Sequence, residues 1–114
     1  MPAMEEMIKK HDNIDVVMAL NDPAAMGAMA ALKNAGILSN INVYGVDGAP
    51  ETKEMIANGN MTATATQSPR KIGQMAVVKA YEILGGSNVE KMIKLPTVLL
   101  TKDNISHYNI DGWD

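Results

Sequence analysis

Three apolar runs, each closed by a polar side chain and followed by a proline, constrain the fold of this chain most strongly. The middle run ends at Asp47, which lies between Gly45 and Gly48, and the runs on either side end at Asn21 and Gln67. In each case a proline two or three residues later is placed to open a helix. Strands that alternate with helices in this way are typical of an α/β fold. We therefore predict a Rossmann-like, doubly wound and mainly parallel sheet with right-handed crossovers.

Helix and strand alternate along the whole chain in the predicted order of elements. Capping residues, prolines and glycines set the boundaries, and Asp22 is interpreted as the N-cap of the second helix. The apolar run 14–20 is nearly continuous, which is typical of a strand covered on both faces. Residues 101–114 are interpreted as a polar tail with a loosely tied end. The predicted elements are helix 2–11, strand 14–20, helix 23–35, strand 41–46, helix 50–58, strand 61–66, helix 69–84 and strand 95–101.

Length and charge limit what the chain can bind. Its 114 residues are enough for one small domain, and its net charge of −3 comes without a basic stripe, so no nucleic-acid partner is predicted. The apolar runs are shorter than the roughly 20 residues that a membrane-spanning helix needs. Met1-Pro2-Ala3 leads directly into helix-like sequence, so we predict no signal peptide in this chain.

The sequence contains little material for catalysis. His11 and His107 lie at opposite ends of the chain, and there is no cysteine. No glycine-rich dinucleotide loop, phosphate loop or metal-ligand spacing is present. Five of the ten methionines fall at helical spacing and are interpreted as core residues: Met4, Met7, Met26, Met29 and Met75. We therefore predict no enzyme activity, no catalytic residue, no bound metal and no cofactor.

A binding site for a polyol is better supported by the residues. The carboxyl ends of parallel strands meet at one edge of a sheet, where open α/β sheets bind ligands, so Asn21, Asp47 and Gln67 are predicted to converge there. A carboxylate accepts strong charge-assisted hydrogen bonds from adjacent hydroxyls, and an amide both donates and accepts. The alternative is structural: Asn21 caps a helix, Asp47 makes a local turn and Gln67 is merely exposed. The residue pattern leaves both interpretations open.

Four segments resemble type I periplasmic sugar-binding proteins, the ribose-binding group. Residues 16–28, Val-Val-Met-Ala-Leu-Asn-Asp-Pro-Ala-Ala-Met-Gly-Ala, resemble that family's Asn-Asp-x-x-Ala-x-Gly-Ala segment, and residues 43–48 look like its Gly-x-Asp-Gly strand end. Residues 62–73 are similar to its strand, glutamine and long-helix segment, and residues 95–104 match its closing strand. These motifs occur in the right order over most of the chain.

The resemblance implies a function and assigns roles to residues. In this family the matching asparagine, aspartate and glutamine hydrogen-bond sugar hydroxyls, which assigns sugar binding to Asn21, Asp47 and Gln67. Two α/β lobes close over a monosaccharide, a pentose or hexose, and present it to the membrane permease of an ABC uptake system. No chemistry is done on the ligand. The parent protein is then extracytoplasmic, either periplasmic or lipid-anchored.

The resemblance also implies that the chain is a carboxy-terminal fragment, because complete members are more than twice as long. Residues 1–67 and about 98–114 then belong to the C-terminal lobe, and about 68–97 to the N-terminal lobe. Such a fragment exposes sheet edges and apolar helix faces, so we expect a homo-oligomer with weak or no sugar affinity. The alternative is the effector-binding lobe of a lactose-repressor-type regulator. Those regulators usually carry Gly-Phe-Asp-Asp where this chain has Gly45-Val46-Asp47-Gly48.

Overall fold

The computed structural model describes residues 1–113, and Asp114 lies outside the described part of the chain. Four α-helices and four β-strands alternate along it, with short 3-10 turns at Leu38–Asn40 and Ile105–His107. The helices are α1 (Pro2–Lys10), α2 (Asp22–Asn34), α3 (Pro50–Ala57) and α4 (Pro69–Leu84). The strands are β1 (Val16–Met18), β2 (Asn42–Asp47), β3 (Ala63–Thr66) and β4 (Leu99–Thr101).

The strands form one sheet in the order β1-β2-β3-β4. The first three run parallel to one another, and β4 pairs antiparallel with β3. The predicted α/β class with a mainly parallel sheet is confirmed. The last strand is shorter than predicted, because only its final three residues join the sheet while 88–98 form no helix or strand.

Helix α2 begins one residue earlier than the capping pattern predicted. The N-cap is Asn21, whose side-chain oxygen accepts a hydrogen bond from the Ala24 amide at 2.9 Å. The prediction that Asp22 is the N-cap was therefore wrong. Asp22 is the first residue of the helix and is fully buried. The helix ends before Gly36, whose φ of 73° lies in the left-handed region that glycine adopts at little cost.

The hydrophobic core lies between the helices α1 to α3 and one face of the sheet. On β2 the buried residues Val43 and Gly45 alternate with more exposed ones, as expected for a strand with a single packed face. Met4 and Met29 are buried in this core as predicted, whereas Met7 is half exposed. The buried members of the core cluster are Met4, Ala25, Ala28, Met29, Ala31, Leu32, Val43, Ile56, Met61, Leu100 and Ile105.

The opposite face of the sheet is apolar and exposed. Val16 and Met18 on β1 are 50% and 83% exposed, and Leu99 on β4 is 53% exposed. The prediction that both faces of the first strand are covered was wrong, because no helix of the described chain buries this side. We call the surface formed by Val16, Met18, Leu20 and Leu99 the open sheet face.

Helix α4 stands apart from the rest of the fold. None of its 16 residues is buried, although Val77, Val78, Tyr81 and Leu84 on it are apolar. The radius of gyration is 17.8 Å, whereas a compact domain of this length has about 13 Å. The extents of 59 × 30 × 17 Å describe an elongated molecule. In residues 1–113 no helix is both long enough and apolar enough to cross a membrane.

The tail after β4 is anchored by a buried lysine. Lys53 on α3 is 0% exposed, and its Nζ donates hydrogen bonds to the Asn109 and Gly112 carbonyl oxygens at 2.9 and 2.8 Å. A buried ammonium group requires such partners because water no longer solvates it. The prediction of a loosely tied end was therefore wrong for residues 109–112. Its last residue, Asp114, lies outside the described part.

Candidate functional site

The carboxyl ends of the three parallel strands form one rim of the sheet. Asp47 is the last residue of β2, Gln67 directly follows β3, and Asn21 lies three residues after the end of β1. Backbone pairing continues past β1, since the Ala19 amide donates to the Tyr44 carbonyl at 2.9 Å. The three predicted site residues therefore follow neighbouring strand ends, and we call this edge the rim.

Asp47 and Gln67 are in direct contact. The Gln67 side-chain amide donates to Asp47 Oδ1 at 2.8 Å, and the Gln67 backbone amide donates to the Asp47 carbonyl at 2.9 Å. The side chains belong to residues that are half-buried and exposed, respectively, so a ligand can reach them. The second carboxylate oxygen of Asp47 and the carbonyl oxygen of the Gln67 side chain remain as acceptors at the rim.

Asp47 holds an unusual backbone conformation. Its φ is 132°, and it is the one residue other than glycine with a positive φ in the described chain. Such a conformation costs an L-residue with a Cβ about 1–3 kcal/mol and recurs at ligand-binding sites. The carboxylate thus stands where a glycine would be favoured on conformational grounds, which points to a role for the side chain itself.

Asn21 serves the helix as well as the rim. Its side-chain oxygen is occupied by the cap of α2, as the structural alternative predicted. Within residues 1–113 its Nδ2 group donates to no protein acceptor, so two N–H donors are available to a ligand. No hydrogen bond joins Asn21 to Asp47 or Gln67 in the described chain. The structure brings two of the three predicted residues into contact and leaves the third at the neighbouring strand end.

A buried carboxylate lies beneath the rim, and sequence reasoning missed its role. Asp22 accepts hydrogen bonds from the hydroxyls of Thr52 and Thr64, each at 2.6 Å, and from the Ala49 amide at 2.8 Å. These partners come from α3, β3 and the turn after β2. One signal in the sequence is the run of alternating threonines at 62–66, since threonine hydroxyls in a buried strand need partners.

Of two cavities on the described part of the chain, one touches the rim. The larger, about 710 Å³, lies at the amino ends of the strands and is lined by Met26, Met29 and Met55 among others. The smaller, about 490 Å³, begins at Gln67 and runs beneath α4, past Met75, to Thr97. The larger cavity therefore lies at the opposite edge of the sheet from the predicted site, and Lys33 is the one charged residue in its lining.

The rim is built for hydrogen bonding. It offers one carboxylate and two amide side chains, with neither histidine at the three strand ends. Nowhere in residues 1–113 do three His, Cys, Asp or Glu side chains converge in a way that could hold a metal ion. The groups at the rim can bind and orient adjacent hydroxyl groups through charge-assisted and neutral hydrogen bonds.

Comparison with known proteins places this geometry in a family. The model of the periplasmic binding protein domain matches residues 2–88. The chain belongs to this family. The ribose import binding protein of Bacillus subtilis is 36% identical over 99 residues, which cover 87% of this chain and 32% of the relative. The D-apiose import binding protein of Actinobacillus succinogenes is 36% identical over 109 residues, with 93% and 35% covered.

Solved structures of this family share the fold closely. An ABC transporter periplasmic solute binding protein from Actinobacillus succinogenes with bound D-allose superposes with a TM-score of 0.90 at 27% identity, covering 94% of this chain and 38% of that one. A solute binding protein from Bacillus halodurans with bound myo-inositol gives 0.87 at 32% identity, with 94% and 37% covered. The chain spans about a third of the length of the curated relatives that it matches.

Proposed function

We propose that the chain takes part in binding a monosaccharide for an ABC uptake system. The observation that carries this proposal is the contact between Asp47 and Gln67 at the rim. There the carboxylate of a residue with a strained backbone lies beside a side-chain amide. Asn21 adds two N–H donors at the neighbouring strand end. This set matches the hydroxyl-rich edge of a sugar, and the similar proteins named for ribose, D-apiose and D-allose support that ligand class.

The proposal includes the setting in which binding takes place. The ligand is held and released unchanged, so the chain has no catalytic activity, and the binding-protein relatives support this. The parent protein works outside the cytoplasm, in the periplasm or on a lipid anchor, and delivers its sugar to a membrane permease. The alternative is the effector-binding lobe of a lactose-repressor-type regulator. The relatives named above are import-binding proteins, which favours transport over regulation.

The test of this function is a titration followed by ¹H–¹⁵N NMR. NMR is chosen because it detects weak as well as tight binding. D-ribose and D-allose are added in separate experiments. We expect saturable shifts of the Asn21, Gly48 and Gln67 resonances with at least one sugar, and unchanged resonances at the distant cavity around Met29. Rim resonances that stay fixed with both sugars, in a sample with the dispersed spectrum of a folded protein, would refute a binding function for this chain.

We also propose that the chain contributes to two lobes, 1–67 with about 98–114 in one and about 68–97 in the other. Two observations support this division. Helix α4 has no buried residue. The chain would pass between the lobes twice, near Thr66 and near Val98, and these two segments lie side by side. The Thr66 amide donates to the Val98 carbonyl at 2.8 Å, and the Val98 amide donates to the Thr66 hydroxyl oxygen at 3.1 Å.

Hydrogen exchange measured by mass spectrometry tests the division. Amides of α4 should exchange at least about tenfold faster than those of β2 and β3, because an unpacked helix opens without disturbing the core. Helix α2 provides the internal reference, since it is packed against the sheet. Equal protection of α4 and α2 in a single cooperative unit would contradict the two-lobe division.

We further propose that the isolated chain forms a homo-oligomer through the open sheet face. Four apolar residues lie on this face, and Leu20 is 89% exposed. Clusters of exposed apolar residues mark interaction sites. The matching part is about a third of the relative from Bacillus subtilis. We infer that a second copy of this chain covers the open sheet face.

Light scattering coupled to size-exclusion chromatography measures the assembly. We expect a mass of at least twice 12.2 kDa for the wild-type chain, and a shift to monomer for Met18→Lys, because the lysine charge would have to be desolvated on association. The matched control is Val78→Lys on α4, which changes an exposed apolar residue to the same charge. A monomeric wild-type chain, or a dimer that Met18→Lys leaves intact, would rule out this interface.

A further inference from the structure

The buried carboxylate of Asp22 is arranged as an acceptor for groups that surround the rim. Asp22 is 0% exposed, and three donors converge on it: two hydroxyls on separate elements and one backbone amide. A carboxylate accepts at both oxygens and donates at neither, so it can fix all three donors at once. Charge-assisted hydrogen bonds of this kind are short and geometrically restrictive.

Two of these hydrogen-bond paths lead to the turn that follows Asp47. Asp22 Oδ2 accepts directly from the Ala49 amide at 2.8 Å. Asp22 Oδ1 accepts the Thr64 hydroxyl proton, and the same Thr64 oxygen accepts from the Gly48 amide at 3.3 Å. The Thr64 hydroxyl donates its one proton to the carboxylate, so its oxygen can act towards the turn only as an acceptor.

The backbone at Gly45 makes room for this arrangement. A Cβ atom at Gly45 would overlap Asp22 Oδ1 and lie 2.8 Å from Met61 Cε. The absence of a side chain therefore lets the carboxylate approach β2 directly beneath the rim. Gly45, Asp22 and Thr64 meet at one point in the core, and Gly45 and Thr64 are register partners in the β2–β3 ladder.

We propose that Asp22 is the positioning residue of the rim: through Ala49 and through the Thr64 hydroxyl it holds the turn that fixes the Asp47 carboxylate beside Gln67. This inference rests on the proposed sugar-binding function for its consequence, but its mechanism is a property of the free protein. Asn21 and Asp22 are adjacent in sequence, so the same helix start that presents the Asn21 amide also fixes the neighbouring strand end. Asp22 itself touches no ligand.

Two matched variants separate positioning from plain stability. Thr64 and Thr52 are both 0% exposed, and each donates to Asp22 at 2.6 Å. Thr64 also accepts from the Gly48 amide at 3.3 Å, whereas the single proton of the Thr52 hydroxyl is shared between Asp22 and the Ala49 carbonyl oxygen, which lies 2.8 Å away. Thr64→Val and Thr52→Val therefore remove one equivalent hydroxyl each from the carboxylate. Only Thr64→Val breaks the path to Gly48.

The experiment measures Gly48 amide exchange and sugar affinity by NMR in both variants and in Thr64→Ser, which restores the hydroxyl. We expect Thr64→Val to speed Gly48 exchange at least about tenfold and to weaken D-ribose or D-allose binding about fivefold, the usual effect of one lost hydrogen bond. Thr52→Val should leave both readouts near wild type, and Thr64→Ser should restore them.

Equal changes at Gly48 in Thr64→Val and Thr52→Val, or no recovery in Thr64→Ser, would overturn the positioning role and leave Asp22 a purely structural residue. The exchange measurement needs no sugar. If the wild-type chain binds neither sugar, the proposed function fails, while the Gly48 exchange rates still decide whether Asp22 positions the turn. A variant that fails to fold is recognised by its collapsed spectrum. If this happens to Thr64→Val, Thr64→Ala, which also removes the hydroxyl, takes its place in the comparison with Thr64→Ser.

Discussion

Replacing Gly45 with alanine is expected to lower the free energy of unfolding by about 2–4 kcal/mol, because overpacking here also disturbs a buried carboxylate. The new Cβ would overlap Asp22 Oδ1 and lie 2.8 Å from Met61 Cε. The flexible end of the Met61 side chain can move away. The Asp22 carboxylate is held by three hydrogen bonds and cannot move without breaking at least one of them. Urea denaturation followed by circular dichroism measures the change.

Gly73→Ala is the matched control for this substitution. It adds the same methyl group at a glycine in the middle of α4, where no atom lies within 4 Å of the new Cβ. We expect it to stabilise α4 by up to about 1 kcal/mol, since alanine is the better helix former. Opposite signs for the two variants would separate the packing cost at Gly45 from any general effect of adding a methyl group. A Gly45→Ala variant as stable as wild type would contradict the packing described for Asp22.

The sequence was informative wherever the cause of structure is local. Prolines at the first turn and glycines after the last turn mark the helices, and they are visible without tertiary information. The glycine-flanked end of β2 at Asp47 was readable for the same reason. Because an acid, a glycine and a helix start follow the strand directly, the end of the strand and the place of the acid at the rim can be recognised from neighbouring residues alone.

The role of Asp22 could not be read in this way, because its partners are distant in the sequence. Thr64 follows 42 residues later and Thr52 follows 30 residues later. An aspartate before a proline also satisfies the local pattern of an N-cap, and Asn21 satisfies it equally well. Only the packing of α2 onto β2 decides which of the two side chains turns inward.

The exposure of the sheet was mispredicted for a related reason. Apolar composition identifies β1 as a strand that is able to be buried, but it carries no information on what covers it. Val16 and Met18 are as apolar as core residues and are nevertheless exposed. The apolar residues of α4 likewise carry no information on what covers them, and none of the residues of this helix is buried in the described chain.

Asp47→Gly is expected to stabilise the fold and to weaken sugar binding in one step. Glycine adopts the φ of 132° observed here without the steric cost that a Cβ imposes. Relief of that cost is offset by the greater freedom of glycine in the unfolded chain and by loss of the exposed hydrogen bond from Gln67, so the free energy of unfolding should rise by up to about 1 kcal/mol. Loss of the carboxylate removes hydrogen bonds to a charged group worth about 1.5–3 kcal/mol each, so affinity should fall at least about 100-fold if two sugar hydroxyls are bound.

Asp47→Ala isolates the backbone contribution, because it removes the same carboxylate but keeps a Cβ at the positive φ. Both variants should lose affinity for D-ribose or D-allose equally in the NMR titration, while only the glycine variant gains stability in urea. A structural role for Asp47, limited to a local turn, predicts instead that both variants lose stability and that affinity follows stability. A glycine variant that is more stable and binds sugar as well as wild type would exclude Asp47 from the site.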